Sequence, residues 1–328
     1  MKTYLKEFLT IERLAFGYCC LTLLLMAVLW PRLIRPADML AMRGMWAFMT
    51  VGLMAASHFI IKRWEVMRPW TTVVRITAQM VWLKQWYPDT YEFNICFDNL
   101  DHLFASWEAM LFGCQPSLEF SRSLPQAFWS EAFNLGYISY FPMIAVLNYT
   151  IFFKAFFSTS GRQRIKDTTY QPLYSSSYII TLSFFIYYLI YMFVPVVGPQ
   201  YYFCAVGVDQ IEQGNFPVLG NYFTSHMDML PKPGWTDGLF HNLVASAQAA
   251  GERPTAAFPS SHIGVTTIMV LLAYRYARKL LWLFIPLWVL LCCATVYIQA
   301  HYLVDAIAGL ITAPIVYWLA KRACPVPF

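Results

Sequence analysis

Residues 280–299 read LLWLFIPLWVLLCCATVYIQ, twenty positions from Leu280 to Gln299 without a single charged side chain. A helix of that length rises about 30 Å and matches the hydrocarbon core of a bilayer. Working outward, comparable apolar runs occupy about 14–34, 44–61, 134–157, 175–197, 262–276 and 302–320. The stretch from Pro69 to Trp86 is apolar but interrupted by Arg75 and Lys84, so it reads either as a further span or as an interfacial amphipathic helix. Composition agrees with burial in lipid: of 328 residues, 59% are hydrophobic and only 12% charged. A soluble domain carries about 25% charged residues, so two soluble domains are excluded. The net charge of +5 is too small and dispersed for a nucleic-acid surface. The chain reads as an all-α integral membrane protein, a polytopic helical bundle.

Loop charges set the topology, because Lys and Arg accumulate on the cytoplasmic side. If 69–86 crosses, that side holds Lys2, Lys6, Arg13, Lys62, Arg63, Arg68, Arg162, Arg164, Lys166, Arg275, Arg278, Lys279, Lys321 and Arg322. Arg32, Arg35, Arg43, Arg122, Lys232 and Arg253 remain outside. Eight spans with both ends inside is therefore preferred, with seven as the alternative. The first run is followed by Trp30-Pro31-Arg32 and lacks a small-residue cleavage site, so it is read as a span and not a cleaved leader. Residues 1–133 read as leading spans plus an outer interfacial segment, and 134–328 as the transmembrane core, within one membrane domain. Two long outer segments result. The first, 87–133, reads as short amphipathic pieces on the membrane surface, with Phe104, Trp107, Met110 and Leu111 at helical spacing. The second, 198–261, is rich in Gly and Pro and reads as a functional loop. Of the eight cysteines, Cys96 and Cys114 lie outside, where a disulfide between them is one reading; without a CxxC pair no metal site is expected.

Chemistry concentrates at two span edges. Ala257-Phe258-Pro259-Ser260-Ser261-His262 opens one span, and His301-Tyr302-Leu303-Val304-Asp305 opens the last. Two crossings separate His262 from His301, so both face the outer side. Ionisable groups in such places are costly and usually functional. His301 and Asp305, at i and i+4, stack on one helix face, where the carboxylate fixes the imidazole tautomer and leaves the other nitrogen nucleophilic. Ser260 or Ser261 caps the other span, whose free N–H groups suit a phosphate. His262 suits a general acid and base. His58 reads as a packed residue, and His102, His226 and His241 as solvated outer-loop positions.

Pro259-Ser260-Ser261-His262 followed by His301-x-x-x-Asp305 resembles the second and third signature motifs of the type 2 phosphatidic acid phosphatase superfamily. Thr295-Val296-Tyr297-Ile298 running into His301-Tyr302-x-Val304-Asp305 and Gly309 looks like the inositol phosphorylceramide synthases of fungi, a phosphotransferase branch. The resemblance implies a double displacement without metal or cofactor: His301 attacks phosphorus, Asp305 orients it, and His262 protonates the leaving alkoxide and then deprotonates the acceptor. It implies a phosphatidylinositol-like donor and a ceramide-like acceptor as the membrane-lipid partners. The phosphatases of the superfamily usually place Ser-Arg six to seven residues before the nucleophile, where this chain has Ala294 and Thr295. Their Lys-x6-Arg-Pro motif is also missing; Gly198-Pro199-Gln200 is its nearest positional equivalent. Fewer cations favour a monoanionic phosphodiester over a phosphomonoester. Arg253 is the candidate for the remaining phosphate contact, with Gln200 beside it and Lys232 as a weaker choice. A lipid phosphatase acting on phosphatidate or an isoprenyl pyrophosphate is the first rival and a transporter the second. The lack of long tails favours a bacterial inner membrane, with the site on its periplasmic face, and a secretory-pathway membrane is the alternative.

Overall fold

A computed structural model describes residues 7–249, 253–255 and 257–327. Its helices are α1 (Thr10–Leu29), α2 (Pro36–Arg63), α3 (Arg68–Asn94), α4 (Asp101–Phe112), α5 (Pro116–Ser123), α6 (Ala127–Ile138), α7 (Tyr140–Phe157), α8 (Gly161–Arg164), α9 (Gln171–Phe193), α10 (Pro199–Val206), α11 (Val208–Glu212), α12 (Leu239–Ala249), α13 (Ser261–Tyr276), α14 (Leu281–Tyr297) and α15 (Leu303–Ala323). Among the described residues there is no strand. The protein is an all-helical membrane protein. Among the described residues, six segments, containing α1, α2, α7, α9, α14 and α15, are long and apolar enough to cross a bilayer on their own.

α3 and α13 complete the eight long helices, and α3 shows why its sequence is ambiguous. Its 27 residues could span about 40 Å, but its polar side chains are satisfied by neighbouring helices. Arg75 donates to Glu12 at 2.8 Å near the starts of α1 and α3. Asp89, near the end of α3, pairs with Arg43 near the start of α2 at 2.8 Å. Between these ion pairs, Gln79 accepts from Trp46 Nε1 and donates to Thr50, each at 2.9 Å. α3 therefore runs parallel to α1 and antiparallel to α2 along their length. Buried charges are tolerated when paired, and removing one partner of such a pair is what destabilises.

α9 is the central helix: α1, α3, α7, α13 and α15 all pack on it. α13 and α15 cross closely at Gly309, where a Cβ would stand 2.6 Å from the Ser260 carbonyl oxygen. The boundary drawn at 133/134 falls inside α6, which packs along α14 through Gly136 against Leu290 and Leu291. The outer segment 87–133 is more than surface pieces. α3 extends to Asn94, and α4 turns Asp101, Ala105 and Glu108 into the protein while Trp107, Met110 and Leu111 face outward. Phe104 of the expected stripe is buried on the face that carries the acids, which leaves Trp107, Met110 and Leu111 on the outward side. The 198–261 segment contains α10, α11 and α12. Cys96 and Cys114 are free thiols, so the disulfide reading is corrected.

Candidate active site

The last helix starts later than its motif suggests. α14 ends at Tyr297, and a tight reversal through Gln299, with φ of 62°, delivers His301 ahead of α15. The His301 N–H donates to the Thr295 carbonyl at 3.0 Å, which folds the loop back on α14. Tyr302 is the N-cap of α15, so His301 and Asp305 are not stacked on one helical face. His301 Nδ1 instead lies 2.8 Å from the Ala257 carbonyl oxygen. A carbonyl only accepts, so Nδ1 carries the proton and Nε2 keeps its lone pair. Asp305 Oδ2 is 3.8 Å from Nδ1 and accepts the Tyr302 N–H at 2.9 Å. The expected Asp305 hydrogen bond to the histidine is thus replaced by a backbone carbonyl, with the buried carboxylate behind it as a nearby charge.

The counting of crossings holds: His301 Nε2 and His262 Nδ1 are 3.5 Å apart. His262 stands in the first turn of α13, its ring stacked on Tyr137 at 4.8 Å and beside Tyr140 at 4.7 Å. The end of α6 and the start of α7 therefore fix His262, while the 257–259 loop fixes His301.

The Ser260-Ser261 start is more occupied than expected. Ser260 Oγ accepts the Ile263 N–H at 3.5 Å as the N-cap of α13. Ser260 N–H donates to the Asp305 carbonyl at 3.1 Å, and Ser261 N–H to the Tyr191 hydroxyl at 2.8 Å. These donors tie α13 to α15 and α9 and are not left pointing at a phosphate. Gln200 is buried beside the histidine loop, its N–H donating to the Gln299 carbonyl at 2.9 Å. Arg253 is not brought to the histidines by its described contacts. Its guanidinium lies over the Tyr91 ring at 6.0 Å and against Met227 Sδ at 3.0 Å. Lys232, the weaker candidate, is better placed. Leu230 N–H donates to the Gln200 carbonyl, and Gly234 packs against the Tyr297 hydroxyl and Ser130, so the backbone around Lys232 crosses the histidine loop. The Lys232 Nζ is buried. His241 is likewise not a solvated residue: it lies on the inner face of α12 with Val244 and Gln248.

Two carboxylates on α4 hold this site and escaped the sequence reading. Asp101 accepts from Val197 N–H (2.7 Å), Gly198 N–H (2.9 Å), the Tyr302 hydroxyl (2.9 Å) and Asn99 Nδ2 (2.6 Å). Burial pushes its carboxyl up to about 6, while these four donors pull the other way. Seven residues on, Glu108 accepts the Val304 N–H at the start of α15 at 3.2 Å. Burial pushes the Glu108 carboxyl up to about 8; the N–H groups of Val304 and Leu303 lower it and the Asp305 charge raises it. The sequence signal is the i, i+7 spacing of the two acids, which puts both on one helix face.

A carboxyl held above its ordinary value binds a proton on folding, so stability falls as pH rises from about 4.5 towards 8 and levels off beyond. Glu108→Gln removes that proton uptake. Its melting temperature is expected to decline less than that of the wild type between pH 5 and 9. An identical decline in both proteins would sink the assignment of that titration to Glu108.

Gly198 makes a second testable point. Its φ is +94°, and an added Cβ would lie 2.6 Å from the Ala300 carbonyl oxygen, one residue before His301. Gly198→Ala is expected to cost about 1–3 kcal/mol in backbone strain and to lower turnover at least tenfold by shifting His301. Wild-type turnover in that variant would show that this close approach does not position the histidine.

Comparison with known families agrees with this geometry. Residues 165–319 match the family model described as the PAP2 superfamily. That stretch contains α9 to α14, most of α15, both histidines and Asp305, and it supports an enzyme acting on phosphoesters; Asp101 and Glu108 lie before it. No curated protein and no solved structure matches the chain.

Proposed function

We propose that the protein is a membrane lipid phosphotransferase that moves a phospho-alcohol headgroup, with phosphoinositol preferred, from a glycerophospholipid to ceramide. The observation that carries this reading is the histidine pair: Nδ1 of His301 is committed to the Ala257 carbonyl, and its Nε2 lies 3.5 Å from His262 Nδ1. In the first step Nε2 attacks phosphorus and the bond to the glycerol oxygen breaks. Protonated His262 gives its proton to that oxygen, releasing diacylglycerol and leaving a phosphodiester of the headgroup on His301. The positive imidazole ring is favoured by Asp305 at 3.8 Å. In the second step the primary hydroxyl of ceramide loses its proton to His262 and attacks phosphorus. The N–P bond breaks and both histidines return to their starting states. No cofactor enters either step.

Two features support a phosphodiester with a hydroxyl-rich headgroup. Lys232 is the basic residue whose neighbours touch the histidine loop, a modest charge for a monoanion. On α12, Val244 packs in one cluster with Phe133, Tyr297, Ile298 and Ala300. His241 and Gln248 flank it on the same buried face, and among the described residues their ring nitrogens and amide atoms have no hydrogen-bond partner. Such groups donate and accept as hydroxyls do, and buried polar groups of this kind call for a partner. The loop-charge asymmetry supports placing this site on the outer, periplasmic side of a bacterial inner membrane.

The test is incubation of the purified chain in nanodiscs with labelled phosphatidylinositol, with and without ceramide. Ceramide-dependent diacylglycerol release and a new phosphosphingolipid are expected. Release of free phosphate from phosphatidate, without transfer from phosphatidylinositol, would favour the hydrolytic reading.

A further inference from the structure

The face opposite the histidine pair carries a second feature that the catalytic reading does not use. α13 ends at Tyr276, and the turn to α14 presents Arg278 and Lys279 beside Arg275. The last turn of α7 brings Lys154 to the same place, where its Nζ donates to the Tyr276 carbonyl at 3.0 Å. Between α7 and this turn lies an open groove of about 1110 Å³. A smaller hollow of about 350 Å³ continues it on the other side of Lys154 and Arg275. The groove wall is apolar: Val146, Tyr149, Phe153 and Phe157 follow one another up α7 and are all exposed. From Val146 to Phe157 the helix rises about 16 Å, close to half of a hydrocarbon core about 30 Å thick. The groove is therefore one leaflet deep, with its basic mouth at the membrane edge.

The charge at that mouth is one-sided. No Asp or Glu lines either hollow. Among the described residues, none of Lys154, Arg278 and Lys279 forms an ion pair with a carboxylate. Lys154 and Arg278 each donate to a carbonyl in the last turn of α13, at 3.0 and 3.2 Å. A helix C-terminus carries only about half a negative charge, so the mouth keeps a clear positive excess. Cations of this kind between transmembrane helices suit anionic lipid headgroups.

We propose that this groove is a binding site for one anionic glycerophospholipid of the leaflet opposite the histidine pair. Its phosphate sits among Lys154, Arg278 and Lys279, and an acyl chain lies along Val146, Tyr149, Phe153 and Phe157. The site is separate from the catalytic one and does not depend on the phosphotransfer reading.

The experiment compares melting of the full-length protein in phosphatidylcholine nanodiscs with and without phosphatidylglycerol of matched acyl chains. Native mass spectrometry counts the retained lipid. Phosphatidylglycerol is expected to raise the midpoint by several degrees, shrinking in high salt, with one molecule retained per chain. Lys154→Gln with Arg278→Gln should remove most of the shift, whereas His301→Ala should keep it. Should the double variant fold poorly, Lys279→Gln alone, at an exposed position, is expected to weaken retention at least threefold. Equal midpoints in the two lipids, or a full shift in the folded variants, would overturn the proposal. A shift lost only in His301→Ala would do so too, by assigning the lipid to the catalytic face.

Discussion

His301→Ala is expected to lower phosphoryl transfer by about 10⁴-fold or more, the scale of losing a covalent nucleophile whose partners act as a unit. The effect follows from which nitrogen is available. Nδ1 is committed to the Ala257 carbonyl at 2.8 Å, so the reactive lone pair belongs to Nε2. No neighbour replaces it. His262 is tilted at 68° to the His301 ring and held by Tyr137 and Tyr140, so it cannot swing into the vacated position without leaving its stack. The truncation also leaves the Ala257 carbonyl without its donor, costing about 1–3 kcal/mol, so the variant's melting is measured alongside its turnover. Loss of turnover with a retained folding transition is the expected combination. Turnover within tenfold of wild type would remove His301 from the mechanism.

Asp101→Ala should give the largest loss of stability. The carboxylate is fully buried and serves two loops at once, the Val197-Gly198 turn and the Tyr302 cap of α15. Deleting it removes the acceptor of two backbone N–H groups and a hydroxyl. At about 1–3 kcal/mol for each unsatisfied group, the sum is on the order of 3–5 kcal/mol. For a chain of this size that is a fall in melting midpoint of roughly 5 °C or more. Activity falls with it, because Gly198 abuts Ala300 and Tyr302 follows His301. Asp101→Asn should be nearly as damaging, since its amide places donors against donors. A midpoint within a degree of wild type would show that α4 does not hold the site.

What was legible in the sequence follows from how each element meets lipid. The long apolar runs announce their spans because most of their surface faces hydrocarbon. α3 does not, because its Arg75, Gln79 and Asp89 are satisfied by Glu12, Trp46 and Arg43 on other helices. The pairing of His262 with His301 needed only a count of crossings. The supporting contacts were hidden for separate reasons. On α4 Trp107, Met110 and Leu111 face out while Asp101 and Glu108 turn inward beside Phe104, so the acids are buried where a soluble helix would expose them. Stacking His301 on Asp305 requires a helix already formed at His301, whereas α15 starts two residues later, at Leu303. Arg253 is close to Pro259 in sequence, whereas its described contacts are with Tyr91 and Met227.

The central claim is that Nε2 of His301 becomes covalently bonded to phosphorus. Phosphatidylinositol labelled at phosphorus, added without ceramide and quenched in base, tests it directly, because a phospho-histidine survives base and is lost in acid. Acid-labile label on the peptide containing His301, absent from His301→Ala and discharged by ceramide in wild type, is the expected result. Diacylglycerol release with no label on the protein, or label that persists in His301→Ala, would contradict it.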